Sequence, residues 1–457
     1  MRKRLFSAGA AEFSLRSRAR ASVFLLVVGL AALFIAGETI RIGIATSLED
    51  SVNLPELRRA LVLDPDNPLL HHRLGLVYSL EADNPSEAIK HLRRATELSP
   101  HKALYWLSLA SACDFLHDTL CADRALEHAL SLSPMTPRLQ WIAANRYLLT
   151  DRPQAALPRF QRLLELSTKY NWPTFRLCLE ALGDPLMVFE KVMPKGADAK
   201  LKLDYVNFLS AQGDADFAYR VWGQTVASAS PFDFSAAEPY LQRLLDAGRY
   251  QEAIGVWQDL EHLGIVKKPA AEDPGNLIFN GDFEQAVLNA GFDWRTQKVP
   301  YLSLTFPHSQ AYQGRRCLRL DFTVGRNDES EAVYQSVPVI PRQEYLLTAY
   351  TRSDSITSDS GPRLRVLDPA CHACLDVSSE TTVGTTPWHA VTLKFSTGVQ
   401  TQVVRVSLWR PRSRSFPTEI TGTFWLDAVS LKALDPGKSE VPSQDSEAKI
   451  AKDEGNH

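Results

Sequence analysis

The segment Ala103 to Pro134, ALYWLSLASACDFLHDTLCADRALEHALSLSP, decides how the first half of the chain folds. Its apolar residues recur three and four positions apart in two runs, which is typical of two amphipathic helices joined by a short turn. Two small residues, Ala110 and Ala122, stand where the helices of such a hairpin would cross most closely. A single hairpin cannot bury its own apolar side, so the segment predicts a stack of neighbouring hairpins.

The same pattern returns on both sides of this hairpin, so the chain contains an internal repeat. Pro100 and Pro134 lie 34 residues apart, and Gly75 and Ala88 take the two small positions of the preceding unit. The repeated residues are Leu74, Gly75, Tyr78, Ala88, Leu92, Ala95 and Pro100, then Trp106, Leu109, Ala110, Cys113, Ala122, Leu126, Ala129 and Pro134, then Ala143, Ala144, Tyr147, Ala156, Phe160 and Leu163.

This arrangement resembles the tetratricopeptide repeat over residues 50–265, with a generic helical bundle as the alternative. The pattern is interrupted at 170–196, where Pro173 and Pro185 are expected to break helices. The resemblance implies an α-solenoid whose concave surface binds a protein partner. The residues it places on that surface are His72, Leu104, Leu107, Trp141, Asn145, Leu203, Asn207 and Gln242.

The N-terminus carries a membrane signal. Residues 1–20 form a basic leader with six Lys and Arg against the single acid Glu12, and Ala21 to Gly37 contains no charge. A helix over residues 21–44 is long enough to cross a bilayer, and basic residues before it favour a cytoplasmic N-terminus. We expect an uncleaved signal anchor in a bacterial inner membrane, with the bulk of the chain outside the cytoplasm. A buried helix is the alternative.

A linker at 266–275 separates the helical pattern from alternating, β-branched runs at 276–434. The polar stretch at 435–457 is expected to be a disordered tail. Five fragments in order resemble the galactose-binding-like jelly-roll carbohydrate-binding modules. That resemblance implies an antiparallel β-sandwich. The fragments are NLIFNGDFE at 276–284, GRRCL at 314–318, YQSVPV at 334–339, WHAVTLKF at 388–395 and FWLDAVSL at 424–431.

The same resemblance implies a structural calcium ion where the first and last strands meet. On this sequence the site maps to Asp282, Glu284 and Asp427, whose hard oxygen atoms suit the ion. The alternative is that Asp282 caps the turn at NGD and that Asp427 accepts a backbone hydrogen bond. The cofactor expectation is thus one structural calcium ion.

Alternation along the strands predicts a glycan-binding surface. Where aliphatic residues point inward, their neighbours point outward, and these outward neighbours include aromatic and Arg side chains. Rings of this kind stack on sugars, and guanidinium groups pair with acidic sugars. Trp294, Trp388 and Trp425 are assigned to the core, and outward rings packed under a loop are the alternative. The predicted glycan-binding residues are Tyr350, Arg352, Arg363, Arg365, Arg405 and Trp409.

Motifs and composition give no sign of catalysis or of nucleic-acid binding. The sequence contains no HExxH, GxSxG, phosphate-loop or GxGxxG motif, and its 50 basic and 53 acidic residues leave a formal charge of −3. The charge gives no case for nucleic acid. Outside the cytoplasm thiols tend to pair, so Cys113 is expected to bond Cys121; Cys371 and Cys374 form either a loop disulfide or two free thiols.

We therefore expect a multidomain α-then-β protein with no catalytic residues, a membrane-anchored envelope scaffold in polysaccharide assembly or export. Its solenoid would bind a protein partner, and its jelly roll would bind a glycan, with acidic polysaccharide as the expected class. The alternatives are a purely structural assembly factor whose jelly roll contacts protein, and an enzyme with a diffuse active site.

Overall fold

The computed structural model describes residues 18–80, 84–228, 231–267, 275–416 and 418–434. It confirms the fold class, an apolar N-terminal helix, then helical hairpins, then an antiparallel β-sandwich. Most of the predicted leader and linker and all of the tail lie outside these residues. The chain divides into two compact units, Met1–Tyr170 and Asn171–His457.

The first unit is helical in the part that the structure describes. Its helices pair in sequence as hairpins, α3 with α4, α5 with α6 and α7 with α8, and α2 packs on α3. The helices are α1 (Arg18–Ser47), α2 (Leu54–Leu63), α3 (Pro68–Leu80), α4 (Pro85–Leu98), α5 (Ala103–Phe115), α6 (Thr119–Leu132), α7 (Pro137–Leu149) and α8 (Pro153–Leu166), and a 3-10 turn at Thr168–Tyr170 ends the unit.

Close approach of paired helices explains the small residues of the repeat. Ala110 on α5 and Ala122 on α6 are fully buried, as are their counterparts Ala144 and Ala156 in the next hairpin. At Gly75 even a methyl group would overlap the side chain of Leu92 on α4. The spacing read from the sequence is therefore the spacing that the packing requires.

Helix α1 is the apolar helix predicted at the N-terminus. Residues Ala21–Ser47 are long and apolar enough to cross a membrane, and the most apolar part is not buried against the rest of the chain. Its C-terminal end is different, because Ala45 is fully buried and α1 packs on α2. The Arg41 guanidinium donates to the carbonyl oxygen of Leu63 and forms a 2.5 Å ion pair with Glu38. The end of α1 thus belongs to the first layer of the solenoid.

The second unit begins with six further helices. Pro173 lies in the first turn of its helix and Pro185 at the start of the next, where proline is tolerated because the first amide groups have no helical partner. The expectation that these prolines break helices is therefore wrong. The helices are α9 (Asn171–Leu182), α10 (Pro185–Val192), α11 (Ala199–Gln212), α12 (Ala215–Ala227), α13 (Phe234–Asp246) and α14 (Tyr250–His262).

Two five-stranded antiparallel sheets then form a sandwich. The first sheet has the order β1-β4-β9-β6-β7 and the second the order β2-β3-β10-β5-β8. Aliphatic and aromatic residues of both sheets share one buried core. The strands are β1 (Arg295–Thr296), β2 (Leu302–Thr305), β3 (Leu318–Arg326), β4 (Ser330–Pro338), β5 (Glu344–Ile356), β6 (Arg363–Leu367), β7 (Asp376–Ser378), β8 (Gly384–Ser396), β9 (Val403–Arg410) and β10 (Ile420–Ala433).

The segment before β1 joins the sandwich to α14 within this unit. The ring of Trp257 on α14 lies 5.4 Å from that of Phe279 and 5.7 Å from that of Phe292, both edge-on. Gly291 has a φ of 61° and approaches Trp257 so closely that a methyl group there would overlap the indole. The last solenoid helices and the sandwich therefore pack as one body.

Two disulfides are present. Cys113 on α5 is bonded to Cys121 on α6, with 5.8 Å between their Cα atoms, which confirms the predicted pair. Cys371 and Cys374 form the loop disulfide, so the alternative of two free thiols is wrong. Both remaining cysteines, Cys178 and Cys317, are buried free thiols.

Candidate functional site

The six predicted glycan-binding residues do not share one surface. Tyr350 and Arg352 lie on β5 in the second sheet, whereas Trp409 lies on β9 in the first. Arg405 is also on β9, and the remaining two are on β6 of the first sheet. The single six-residue surface is therefore wrong, since alternation tells inward from outward along a strand but not which sheet the strand joins. The four residues brought together on the first sheet are Arg363, Arg365, Arg405 and Trp409.

On the outer side of the first sheet, the aromatic rings are covered by guanidinium groups. Arg365 lies 4.4 Å from the ring centre of Trp409, and Arg405 lies 4.5 Å from that of Tyr334. Arg365 also forms an ion pair with Asp376 at 2.5 Å. We call this surface, formed by Tyr334, Arg363, Arg365, Arg405 and Trp409, the covered face. A ring that a guanidinium already covers on one side has less free surface for a sugar.

The outer side of the second sheet carries a different cluster. The rings of Tyr312 and Tyr350 stack at 3.7 Å and 11°, and Trp388 on β8 lies 5.9 Å from Tyr312. Tyr312 is 43% exposed, and Tyr350 and Trp388 are half-buried, so ring surface remains open to solvent. We call Tyr312, Tyr350, Trp388, Trp425 and their flanking Arg residues the aromatic face.

Trp425 on β10 forms the floor of the aromatic face. Its ring lies between two guanidinium groups, 5.4 Å from Arg319 and 4.7 Å from Arg352, which are its cross-strand neighbours on β3 and β5. Its indole NH donates to Gln310 Oε1 at 3.1 Å. Trp425 is buried beneath these groups on the outer side of the sheet. The assignment of Trp388 and Trp425 to the sandwich core is therefore wrong, whereas Trp294 does lie in the core.

A buried carboxylate fixes the loop that carries Tyr312. Asp427 Oδ2 accepts the backbone amide of Tyr312 at 2.7 Å and that of Gln313 at 3.0 Å. Burial raises the pKa of Asp427 to about 6. A hydrogen bond with Tyr350 raises the pKa of Tyr312 to about 12, so the phenol stays neutral and able to donate. The loop therefore presents the Tyr312 ring in a fixed position.

The residues predicted to bind calcium accept hydrogen bonds from backbone amides. Glu284 Oε1 accepts the amide of Arg316 at 2.8 Å, and Asp282 Oδ1 accepts that of Glu284 at 3.3 Å. Asp427 accepts backbone amides with both oxygens. Within the described residues, no three His, Cys, Asp or Glu side chains are grouped as metal ligands. As placed, these carboxylates do not fit a calcium ion, and the calcium that the resemblance implies is left to the chelation experiment.

The predicted partner-binding residues of the first unit differ in accessibility. Leu104 is 52% exposed, and Leu107, Trp141 and Asn145 are half-buried. His72 is buried, with its Nε2 atom 2.9 Å from Ser108 Oγ, and burial lowers its pKa to about 4. Leu104, Leu107, Trp141 and Asn145 can therefore contact a partner, whereas His72 is part of the packing.

In the second unit, Leu203 and Asn207 are buried, and the Asn207 amide donates to the carbonyl of Ala236 at 3.0 Å. Gln242 is half-buried and donates to Asp246 at 2.6 Å. Leu203 and Asn207 are therefore part of the packed interior, whereas Gln242 is accessible enough to contact a partner.

Sequence reasoning missed Tyr312, Arg319, Trp388 and Trp425 as parts of the aromatic face. Alternation in β3 could have placed Arg319 outward, since Leu318 and Leu320 are both core residues. Tyr312 lies in a loop with no periodic signal. The structure therefore adds the residues that complete the surface.

No protein-family model and no curated protein matches the chain. Among solved structures, MamA is 18% identical over 30% of this chain and 82% of that chain, with a TM-score of 0.27. A family 16 carbohydrate-binding module is 20% identical over 34% of this chain and 99% of that chain, with a TM-score of 0.24. Tailspike protein 4 of bacteriophage CBA120 is 14% identical over 35% of this chain, with a TM-score of 0.27, and the chain spans 22% of its enzymatically active domain.

Proposed function

We propose that the chain is a non-enzymatic, membrane-anchored envelope scaffold whose β-sandwich binds a glycan through the aromatic face. The observation that carries this proposal is the solvent-accessible group of Tyr312, Tyr350 and Trp388 on one side of the second sheet. Aromatic rings bind the apolar faces of sugar rings, while nearby hydroxyl and guanidinium groups bind their oxygens. On the covered face Trp409 and Tyr334 are half-buried like Tyr350 and Trp388, but guanidinium groups already stack on them and no ring is as exposed as Tyr312, so it is the weaker candidate.

The anchor in this proposal is α1, which remains uncleaved in a bacterial inner membrane with the following domains outside the cytoplasm. An apolar helix near the N-terminus is equally compatible with a signal sequence by length and composition. One feature supports an uncleaved anchor, and another supports placing the following domains outside a reducing compartment. The end of α1 is packed into the solenoid through Ala45, and disulfides such as Cys113–Cys121 persist in oxidising surroundings.

The proposed role of the solenoid is to bind a protein partner, with polysaccharide assembly or export as the process. Leu104, Leu107 and Trp141 supply accessible apolar and aromatic contact area on successive first helices of the first unit. Such residues commonly anchor protein interfaces when a partner covers them.

The alternative is a structural assembly factor whose sandwich contacts protein. The covered face favours this alternative, because its rings are already stacked with Arg365 and Arg405 and its charges are paired with Asp376 and Glu331. Mixed Arg and aromatic surfaces of this kind are common at protein interfaces.

Affinity electrophoresis of the full chain in detergent, through gels containing polysaccharides, tests the proposal. We expect at least one polysaccharide to retard the wild type and expect Trp388→Ala to abolish the retardation. Trp409→Ala, on the covered face, is the matched control and should migrate as the wild type does. Retardation that depends on Trp409 and not on Trp388, or none in any gel, would leave the structural alternative as the better account.

A further inference from the structure

The charge at the centre of the aromatic face is not balanced by the protein. Arg352 and Arg319 flank the same indole, but only Arg319 has an acidic partner, Asp321 Oδ1 at 2.8 Å. The Arg352 guanidinium has neither an ion pair nor a hydrogen bond among the residues that the structure describes, although its backbone belongs to the β5–β10 ladder. The aromatic face therefore holds one half-buried guanidinium without a counter-ion.

The carboxylates nearest along the strands are engaged elsewhere. Asp354, two residues further along β5, accepts hydrogen bonds from Ser355 and Thr385 at 2.9 and 3.3 Å. Asp427 accepts the backbone amides of the Tyr312 loop. Neither is within ion-pair distance of Arg352. A counter-ion for this group must come from solvent or from a ligand.

Stacking prepares Arg352 to bind such a ligand. The planar guanidinium rests 4.7 Å from the centre of the Trp425 ring, which limits its side-chain freedom before any ligand arrives. A guanidinium fork matches two oxygens of a carboxylate or a sulfate with two parallel hydrogen bonds. A partly buried site screens that attraction less than bulk water does.

We propose that the glycan bound by the aromatic face is anionic and that Arg352 binds its acidic group, a carboxylate or sulfate ester, while Tyr312 and Trp388 stack on the sugar rings. This inference rests on the proposed glycan-binding function and specifies its ligand class. We expect each bound glycan to place one acidic group at this site, because Arg352 is the guanidinium beside Trp425 that has no acidic partner.

The test measures dissociation constants of the full chain in detergent by isothermal titration calorimetry. The probes are an oligogalacturonate, the same oligosaccharide with its carboxylates reduced to alcohols, and a sulfated galactan oligosaccharide. We expect an acidic probe to bind about ten- to a hundredfold more tightly than the reduced one, the range for a hydrogen bond to a charged group. The stronger of the two acidic probes identifies the group.

Arg352→Gln should remove that preference, because it should weaken binding of the acidic probes far more than binding of the reduced probe. Arg319→Gln is the matched control, since it removes the guanidinium on the other side of Trp425 and should keep the preference. Arg352→Lys keeps the charge but not the fork, and should keep only part of it. If Arg352→Gln fails to fold, the wild type still decides, because raising salt must weaken acidic binding more than neutral binding.

Equal binding of acidic and reduced probes, with Trp388→Ala weakening both, would overturn the inference and leave the proposed function standing. Binding of every probe unaffected by Trp388→Ala and Tyr312→Ala would overturn the proposed function itself. Loss of the preference in Arg319→Gln and not in Arg352→Gln would also contradict the assignment of Arg352.

Discussion

The indole of Trp257 on α14 meets the ring of Phe292 edge-on at 5.7 Å, and Gly291 lies against the same indole. The left-handed backbone of Gly291, with a φ of 61°, lets the chain turn there without a Cβ atom. This contact is the place where the sandwich is joined to the last solenoid helices.

Gly291→Ala should therefore destabilise the second unit by about 1–3 kcal/mol, because its methyl group would overlap Trp257 and Leu241. Urea denaturation followed by tryptophan fluorescence measures the loss. Gly384→Ala is the control, since Gly384 also has a positive φ, 67°, but nothing lies within 4 Å of an added Cβ atom. Equal losses in the two variants would mean that backbone strain, and not the contact with Trp257, sets the cost.

Asp293 should make the sandwich less stable as the pH rises from about 4 to about 6. Burial raises the pKa of Asp293 to about 6, above its ordinary value of 3.8, so the folded state binds more protons in this window. The loss from Asp293 amounts to about 3 kcal/mol at most, and Asp427, whose pKa is also raised to about 6, adds a separate contribution in the same direction. Asp293→Asn should reduce the slope of urea midpoint against pH, and Asp354→Asn, at an exposed carboxylate, should keep it.

The first unit should respond to pH in the opposite direction. His71 Nδ1 lies 3.0 Å from His91 Nδ1, and burial lowers the pKa of both imidazoles below the usual 6.5. The unfolded chain then binds more protons below pH 6.5, so acid weakens the α3–α4 hairpin. His91→Gln should flatten this loss in amide hydrogen exchange of α3, whereas His101→Gln, at an exposed histidine, should not.

Chelation should leave the thermal midpoint of the full chain unchanged. Asp427 and Glu284 already accept backbone amides, so a calcium ion would have to replace hydrogen bonds that the fold supplies. Differential scanning calorimetry with excess chelator and with excess calcium tests this. A midpoint raised by calcium, as mass action requires of an ion bound to the native state, would support the calcium site predicted from the sequence.

A reporter enzyme fused after His457 should be active only outside the cytoplasm, and the chain should fractionate with the inner membrane at full length. The basic leader before α1 is the physical reason, because positive residues are retained on the cytoplasmic side. Activity of the fusion in the cytoplasm would reverse the proposed orientation.

The helical half was predictable because its packing requires small and large apolar residues at fixed intervals along the sequence. Ala110 and Ala122 are small for the reason inferred from the sequence, close helix approach. The prediction for Pro173 and Pro185 failed because proline is accepted in the first turn of a helix and breaks a helix only further along. The irregular repeat at 170–196 gave no helix start from which to count their positions.

The aromatic face was only half predictable. Alternation correctly predicted that Tyr350 and Arg352 point outward. The order of the strands in each sheet depends on pairing between distant segments, which local sequence patterns do not reveal. Register alone puts Arg352 beside Trp425 and away from Trp409. Tyr312 reaches the surface through a loop held by Asp427, 115 residues away in the chain.

The junction between α1 and α2 has a geometric consequence for a chain anchored as proposed. Helix α1 runs unbroken from Arg18 to Ser47, so the predicted membrane span at 21–44 is followed directly by the buried Ala45, with no unstructured residue between them. A flexible tether would let the solenoid sample a hemisphere above the bilayer. A continuous helix instead carries the orientation of the membrane span directly into the first layer of the solenoid.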